Sequence, residues 1–300
     1  MRARSPLITL FVALSVLLGA AALPDRALAR TPTTLRRSTP HKGNRLLRKA
    51  RVAVRRFKRA ISPQKRPIRL DWLPSSPSDF NIVKLVKGFQ ARIPARVQRK
   101  LDRAPVTKLA RAHSVSFTQK VDDGLGRGPR KAAVHITRGT VNLPLQAFLR
   151  QVPADQWGVK LDHYLGGKVK VYARGADGRP RTQVERMVLS GLPGNLNIRG
   201  LNLDMSKVEQ REVVRDRAGN VKKVTMFWRV HDSANRTTKM DVGSISFEAR
   251  GASQTLVTFH SAHLLGKGKL TFPNALVKPT LRSFFSDHVK HYRQLATSAD

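Results

Sequence analysis

From residue 168 to residue 263 the chain repeats one pattern, a run of alternating apolar and polar residues followed by turn residues. The spacing predicts strands over 168–173, 182–190, 207–215, 221–231, 239–250 and 254–263, with Asp177-Gly178, Ala218-Gly219-Asn220 and Gly251-Ala252 marking turns. Successive side chains of a strand point to opposite faces. Val224, Met226, Trp228 and Val230 therefore share one face, and Thr225, Phe227, Arg229 and His231 the other. Ile245, Phe247 and Ala249 oppose Ser244, Ser246 and Glu248; Val257 and Phe259 oppose Thr258 and His260. Short turns between consecutive strands require antiparallel neighbours. An antiparallel sheet with one apolar face covers that face and leaves the other to water. The cover comes last in the chain. Pro279 can open a helix running to about residue 295, with Leu281, Phe284, Phe285, His288, Tyr292 and Leu295 along one stripe and Arg282, Lys290 and Arg293 away from it.

Ahead of the meander, strands are expected over 114–121 and 131–141. Gly124, Gly126 and Gly128 lie in the loop between them. Their spacing resembles a phosphate-binding loop, but a strand and not a helix follows, so the loop reads as a turn. Residues 142–152 read as a short helix capped by Asn142, with Pro144 in its first turn and Leu145, Phe148, Leu149 and Val152 on one face. Residues 156–167 read as a second short helix carrying Trp157, Leu161 and Leu165.

This order of strand, two short helices, antiparallel meander and long terminal helix resembles the START-like or polyketide-cyclase-like superfamily, the SRPBCC or helix-grip fold. The resemblance is carried by residues 134–152, by the hairpins through Trp228, by 244–247 and 255–263, and by the helix at 279–295, and it spans about residues 112–297. It implies an α+β fold in which a curved antiparallel sheet wraps around the long C-terminal helix. It also implies an apolar cavity between the two for lipids, sterols or polyketide-like molecules. On that reading the cavity candidates are Met226, Trp228, Ile245, Phe247, Val257, Phe259, Leu281, Phe285 and His288. His288 is read first as a core histidine hydrogen-bonded to a neighbour, and second as a polar anchor inside the cavity. The superfamily has no invariant catalytic motif, so the resemblance transfers no catalytic residue.

The other half of the argument is charge. The net charge is +38, and residues 30–111 hold 24 Lys/Arg against three acids, Asp71, Asp79 and Asp102. The first 29 residues fit an export signal: Arg2 and Arg4, an apolar run from Leu7 to Leu23, Pro24, and the small-x-small pattern Ala27-Leu28-Ala29. The run is shorter than the roughly 20 residues a membrane span needs. The expected organisation is a signal peptide at 1–29, a basic linker and amphipathic helical arm at 30–111, and the START-like domain at 112–300. The location is periplasmic or extracellular, with the chain peripheral on a membrane. Within the arm, Leu47, Ala50, Val54, Phe57 and Ile61 make one helical face, and Arg45, Arg48, Lys49, Arg55, Arg56 and Arg59 fall on the others. A helix of this kind lies on an anionic surface with its apolar side down. Anionic lipid or an acidic envelope polymer is the expected partner of the arm. Nucleic acid ranks below them, because no base-reading motif is present. Further helical stretches are expected at 80–89 and 95–101, and no separate core is expected from the arm.

There is no cysteine, which removes disulfides, thiolate catalysis and Cys-ligated metals. His260 and His263 fall on opposite faces of a strand; His288 and His291 lack a clear third ligand; no metal and no cofactor is expected. Asp204, Glu209, Glu212, Asp232, Asp241 and Glu248 read as strand-end or polar-face residues beside Arg or Lys, and no pair stands out for acid–base work. No catalytic residue is assigned. Residues 264–272, with two glycines, suit a mobile flap or an ordinary loop. The leading expectation is an exported binder of a hydrophobic, lipid-like ligand. The alternatives are a cyclase- or hydrolase-like enzyme in the same cavity, and a polyanion-binding envelope protein whose domain is only a scaffold.

Overall fold

The computed structural model describes residues 80–161, 164–189, 203–233, 238–267, 270–271 and 273–298. The export signal at 1–29 and the helix bearing Arg45, Arg48, Lys49, Arg55, Arg56 and Arg59 lie outside the described residues.

Each alternating run forms a strand, and the turn residues set where it stops. After β1 (His113–Val121) and β2 (Arg130–Val141) come β3 (Tyr164–Arg174), β4 (Pro180–Leu189), β5 (Leu203–Arg215), β6 (Val221–Ser233), β7 (Thr238–Arg250) and β8 (Gln254–Lys267). They form one antiparallel sheet in the order β1-β2-β8-β7-β6-β5-β4-β3, and a short β9 (Leu270–Thr271) pairs with the end of β8. In that order, among the described residues, β2 and β8 are the neighbours that are not consecutive in the chain, with Thr137 opposite Phe259 and Val134 opposite Ala262. Register shifts in the β3–β4, β5–β6 and β7–β8 pairs bend the sheet. The long helix at the C-terminus, Asn274–Thr297, lies across one face and packs mainly on β2, β1 and β8. It is the helix expected from the sequence, entered earlier: Pro273 precedes its first turn, and Pro279 lies inside it. The α+β helix-grip arrangement is therefore present. Gly139 on β2 is what lets the helix come so close, since a Cβ there would collide with Val289.

The inner core between helix and sheet contains Phe148, Trp157, Met226, Trp228, Phe247, Phe259, Phe285, Val289 and Tyr292. The outer face is not left to water, which corrects the expectation of one wet face. Two of the helices that precede β1 cover that face: α1 (Ile82–Gln90) and α2 (Ala95–Asp102). Ile82, Val86 and Phe89 of α1 join Val134, Val208, Phe227, Val242 and Ala262 in a second core on that face. Val97 and Leu101 of α2 pack on Ile136. Each such side chain contributes roughly 1.5–3 kcal/mol on burial. The segment before residue 112 thus contributes buried surface, against the expectation for the arm. It went unrecognised because Phe227, Val242 and Ala262 are scattered among polar neighbours in sequence. Polar contacts fix the placement. Gln210 Oε1 accepts from the backbone N–H of Ile82 (2.9 Å), serving α1 in place of a cap from Asn81, and Gln90 Nε2 donates to Ser244 Oγ (2.8 Å).

Three local expectations are corrected. The described residues among 156–167, which are 156–161 and 164–167, form no α-helix. A 3₁₀ turn spans Ala154–Gln156 and β3 begins at Tyr164, with Gly166 at φ +141°, outside helical space. Asn142 does not cap the next helix, here α4 (Leu145–Gln151); its Oδ1 accepts from Gln254 Nε2 (2.9 Å) instead. Residues 264–267 continue β8 because Leu264 keeps the alternation and buries itself on the outer core. The Gly124/Gly126/Gly128 loop is a turn; all three glycines have φ near +70°, and Asp122 Oδ1 accepts from Gly124 N–H. A short helix α3 (Val106–Leu109) follows α2, and the C-terminal helix is numbered α5 below.

Candidate ligand-binding site between helix and sheet

The structure brings all nine candidate side chains to the inner face. Met226 and Trp228 come from β6, Ile245 and Phe247 from β7, and Val257 and Phe259 from β8, all in the core that α5 covers with Leu281 and Phe285. Phe259 is the hub. Its ring lies 4.9 Å from Phe285, 5.9 Å from His288, 6.4 Å from Trp157 and 6.5 Å from Tyr292. Trp157 in turn lies 5.1 Å from Trp228. Gly243 makes room for the Trp228 ring, which a Cβ at that position would strike. His288 is buried, and its Nδ1 donates to the Phe284 carbonyl one helical turn back. That is the core-histidine arrangement read first from the sequence.

Polar groups that the sequence reading missed enter the same face. Glu185 on β4 stands directly opposite Lys207 on β5, and Gln183 directly opposite Glu209. Odd positions of both strands face inward, alongside Met187 and Met205. Lys207 Nζ lies 3.0 Å from Glu185 Oε2 and 2.6 Å from Glu209 Oε1, and all three side chains are 3% exposed or less. Gln183 Nε2 donates to Glu209 Oε2 (2.6 Å) and to the Asp155 carbonyl (2.9 Å). The ammonium sits 4.2 Å from the Trp157 ring centroid. Burial works against the charged form of Lys207, but Glu185 and Glu209 outweigh it and hold its pKa above the ordinary range. Burial pushes the Glu209 carboxyl up, against the pull of Lys207. Two carboxylates share one ammonium, so the group is anionic or holds a proton. Only alternation through β4 and β5 in a known register could have revealed it.

A second polar group lies nearer β1. Ser116 Oγ and Thr137 Oγ1 are 2.6 Å and 2.7 Å from the two ring nitrogens of His135, whose ring stacks on Phe285 at 5.4 Å. Burial, then the charges of His263 and Arg282, push the His135 pKa down to about 3, so it is neutral at physiological pH. His263 faces Phe285 at 5.8 Å. Its pKa is lowered by burial, so the 3.6 Å approach to Asp241 is not an ion pair at neutral pH. Asp241 Oδ1 instead accepts from Trp228 Nε1 (2.8 Å). Buried polar atoms on this face without a hydrogen-bond partner among the described residues include Tyr292 OH, Trp157 Nε1 and His263 Nε2. Among the described residues no three His, Asp or Glu side chains are grouped to hold a metal ion.

No protein-family model matches the chain, and no curated protein matches it in sequence. Solved structures do. A START superfamily protein from Mycobacterium smegmatis is 15% identical over 56% of this chain and 99% of its own, with a TM-score of 0.38. A STAR-related lipid transfer protein from Xanthomonas axonopodis is 10% identical over 60% of this chain and 97% of its own, with a TM-score of 0.39. The Zhui aromatase/cyclase of a Streptomyces species is 12% identical over 61% and 90%, with a TM-score of 0.34. These likenesses concern the fold alone, and the helix-grip assignment rests on the strand order and helix placement described above.

Proposed function

We propose that the protein is a binder of a hydrophobic, lipid-like ligand carrying one neutral polar group, held between α5 and the inner face of the sheet. The observation that supports this most is the unmatched polarity of an aromatic core. Tyr292 OH and Trp157 Nε1 beside Phe259, and His263 Nε2 beside Phe285, have no hydrogen-bond partner among the described residues. Buried polar atoms in folded proteins are nearly always hydrogen-bonded, because leaving one unpaired costs about 1–3 kcal/mol. A ligand hydroxyl or carbonyl could bond to such atoms while its apolar body replaces side-chain contacts around Phe259. The Glu185–Lys207–Glu209 group sets two carboxyls against one ammonium, so it has no spare cation for a carboxylate head and accepts a hydroxyl. The nine side chains assigned from the sequence are the proposed apolar lining. We further propose that the exported chain attaches through Arg45, Arg48, Lys49, Arg55, Arg56 and Arg59 to an anionic membrane surface or acidic envelope polymer.

Catalysis in the same space is the second reading, favoured only by Glu209, whose raised pKa suits a proton donor. One titration separates the readings. The intrinsic fluorescence of Trp157 and Trp228 is followed as a sterol, a long-chain alcohol or the matching fatty acid is added to the full chain. Saturable quenching by the sterol or alcohol, with weaker quenching by the acid and recovery of the probe unchanged, supports binding. Chemical conversion of the probe favours the enzyme. Absence of quenching by any probe removes the proposal.

A further inference from the structure

Next to the sheet edge at β1, the turn between α2 and α3 encloses a surface cleft of about 400 Å³ lined by Arg96, Arg99, Lys100, Arg103, Lys108 and His113, with Ala104 and Pro105 at its bend. No acid lines it. Asp102, the one acid of α2, is turned away to Arg138 Nη1 (2.8 Å) and Gln98 Nε2 (2.9 Å). The cations are placed by the fold. Val97 and Leu101 anchor α2 on Ile136, and Arg293 of α5 donates to the Leu109 carbonyl at the end of α3 (2.9 Å). His113 Nε2 is buried at this cleft without a hydrogen-bond partner. Burial lowers the His113 pKa first, and the charges of Lys108, Lys100, Arg282 and Arg138 lower it further.

Like charges held together by apolar anchors repel one another, a cost that a bound counter-ion relieves. We propose that the α2–α3 elbow is a binding site for a compact anion bearing two or more phosphate groups. Five cations are more than a single carboxylate neutralises. Arginine forks match phosphate oxygens in pairs, and the cleft has the size of a small-molecule site, too small for a polymer coil. The site lies in the last part of the basic segment, residues 96–113, and is separate from the inner face. It does not depend on the hydrophobic-ligand proposal.

Inorganic tripolyphosphate, titrated calorimetrically into the full chain at moderate salt, is the probe. The cleft variant is Arg99→Gln/Lys100→Gln/Arg103→Gln. A control variant, Lys168→Gln/Arg181→Gln/Arg217→Gln, loses as many charges from exposed positions elsewhere. All six residues are exposed, glutamine matches Lys and Arg in helix propensity on α2, and exposed substitutions of this kind usually stay within about 0.5 kcal/mol, so both variants keep the fold. The expected result is a saturable site whose affinity falls at least tenfold in the cleft variant and less than threefold in the control. Flotation with cardiolipin vesicles, whose head group carries two phosphates, against phosphatidylcholine vesicles, gives the source of the phosphate. Cleft-dependent flotation assigns a lipid head group, and cleft-dependent binding of tripolyphosphate alone assigns a soluble anion. Equal weakening of both probes by the two variants, or no saturable site, overturns the proposal.

Discussion

Replacing Lys207 by Met removes the one positive charge between Glu185 and Glu209 while keeping most of the side-chain volume. Both carboxylates, now 3% exposed or less, would lose the cation they share. Breaking a buried ion pair by deleting one partner costs about 3–5 kcal/mol, because the other charge stays desolvated. Set against a total of about 5–15 kcal/mol for a domain, this is a large share. Urea unfolding of Lys207→Met at pH 7 should show a loss of this size. The loss should also narrow as the pH falls toward 5. Glu209 has a folded pKa raised by burial, and without Lys207 it rises further. A carboxyl with a raised folded pKa binds its proton in the folded state first, so its cost fades as the pH drops toward the unfolded value. Titrating groups common to both proteins cancel in the difference. The triple variant Glu185→Leu/Lys207→Met/Glu209→Leu removes every charge of the group and should lie between neutral and about 4 kcal/mol more stable than the native chain. A cost below 1 kcal/mol for Lys207→Met, or a difference independent of pH, would refute the reasoning about a desolvated cluster.

Three further outcomes are expected. Acid should destabilise the native chain below about pH 6.5. Burial holds His135 at about 3 and lowers His263, so the unfolded chain takes up their protons first. Stability is then full above the unfolded value and lost toward the folded one, at about 1.4 kcal/mol per pH unit per histidine; His135→Gln should reduce the slope of the urea-derived stability by about one proton. Gly139→Ala should cost about 1–3 kcal/mol by pushing Val289 and α5 off β2, seen as a lower urea midpoint with unchanged strand signal in circular dichroism. Tyr292→Phe deletes the hydroxyl that lacks a partner, so it should leave stability unchanged or raise it by about 1 kcal/mol while weakening the binding of a sterol or alcohol probe.

The meander, its turns and the covering helix were legible because alternation and helical spacing are local properties, as in the Met226–Trp228 and Phe285–Tyr292 patterns. The eight apolar candidates and His288 followed from the same signal. What stayed hidden depends on register and distance along the chain. Glu185 and Lys207 read as ordinary strand residues until β4 and β5 are paired, which places them opposite each other on the buried side. Phe227 looked like an exception on a polar face, yet it meets Phe89 and Val86 more than 130 residues away in sequence. The helix at 80–89 was expected, but the charge around it assigned it to the arm, so its apolar stripe was given no surface to cover. Glycines misled in the other direction, since Gly166 and Gly167 belong to β3 and not to a helix end.

The account turns on an apolar molecule lodged beneath α5. Native mass spectrometry of the full chain, released gently and then again after organic extraction, tests this most directly. The account predicts a bound species of a few hundred daltons that extraction removes, that an added sterol or long-chain alcohol replaces, and that Val257→Trp excludes while remaining folded. A bare chain in the first spectrum that also takes up neither added molecule would contradict it.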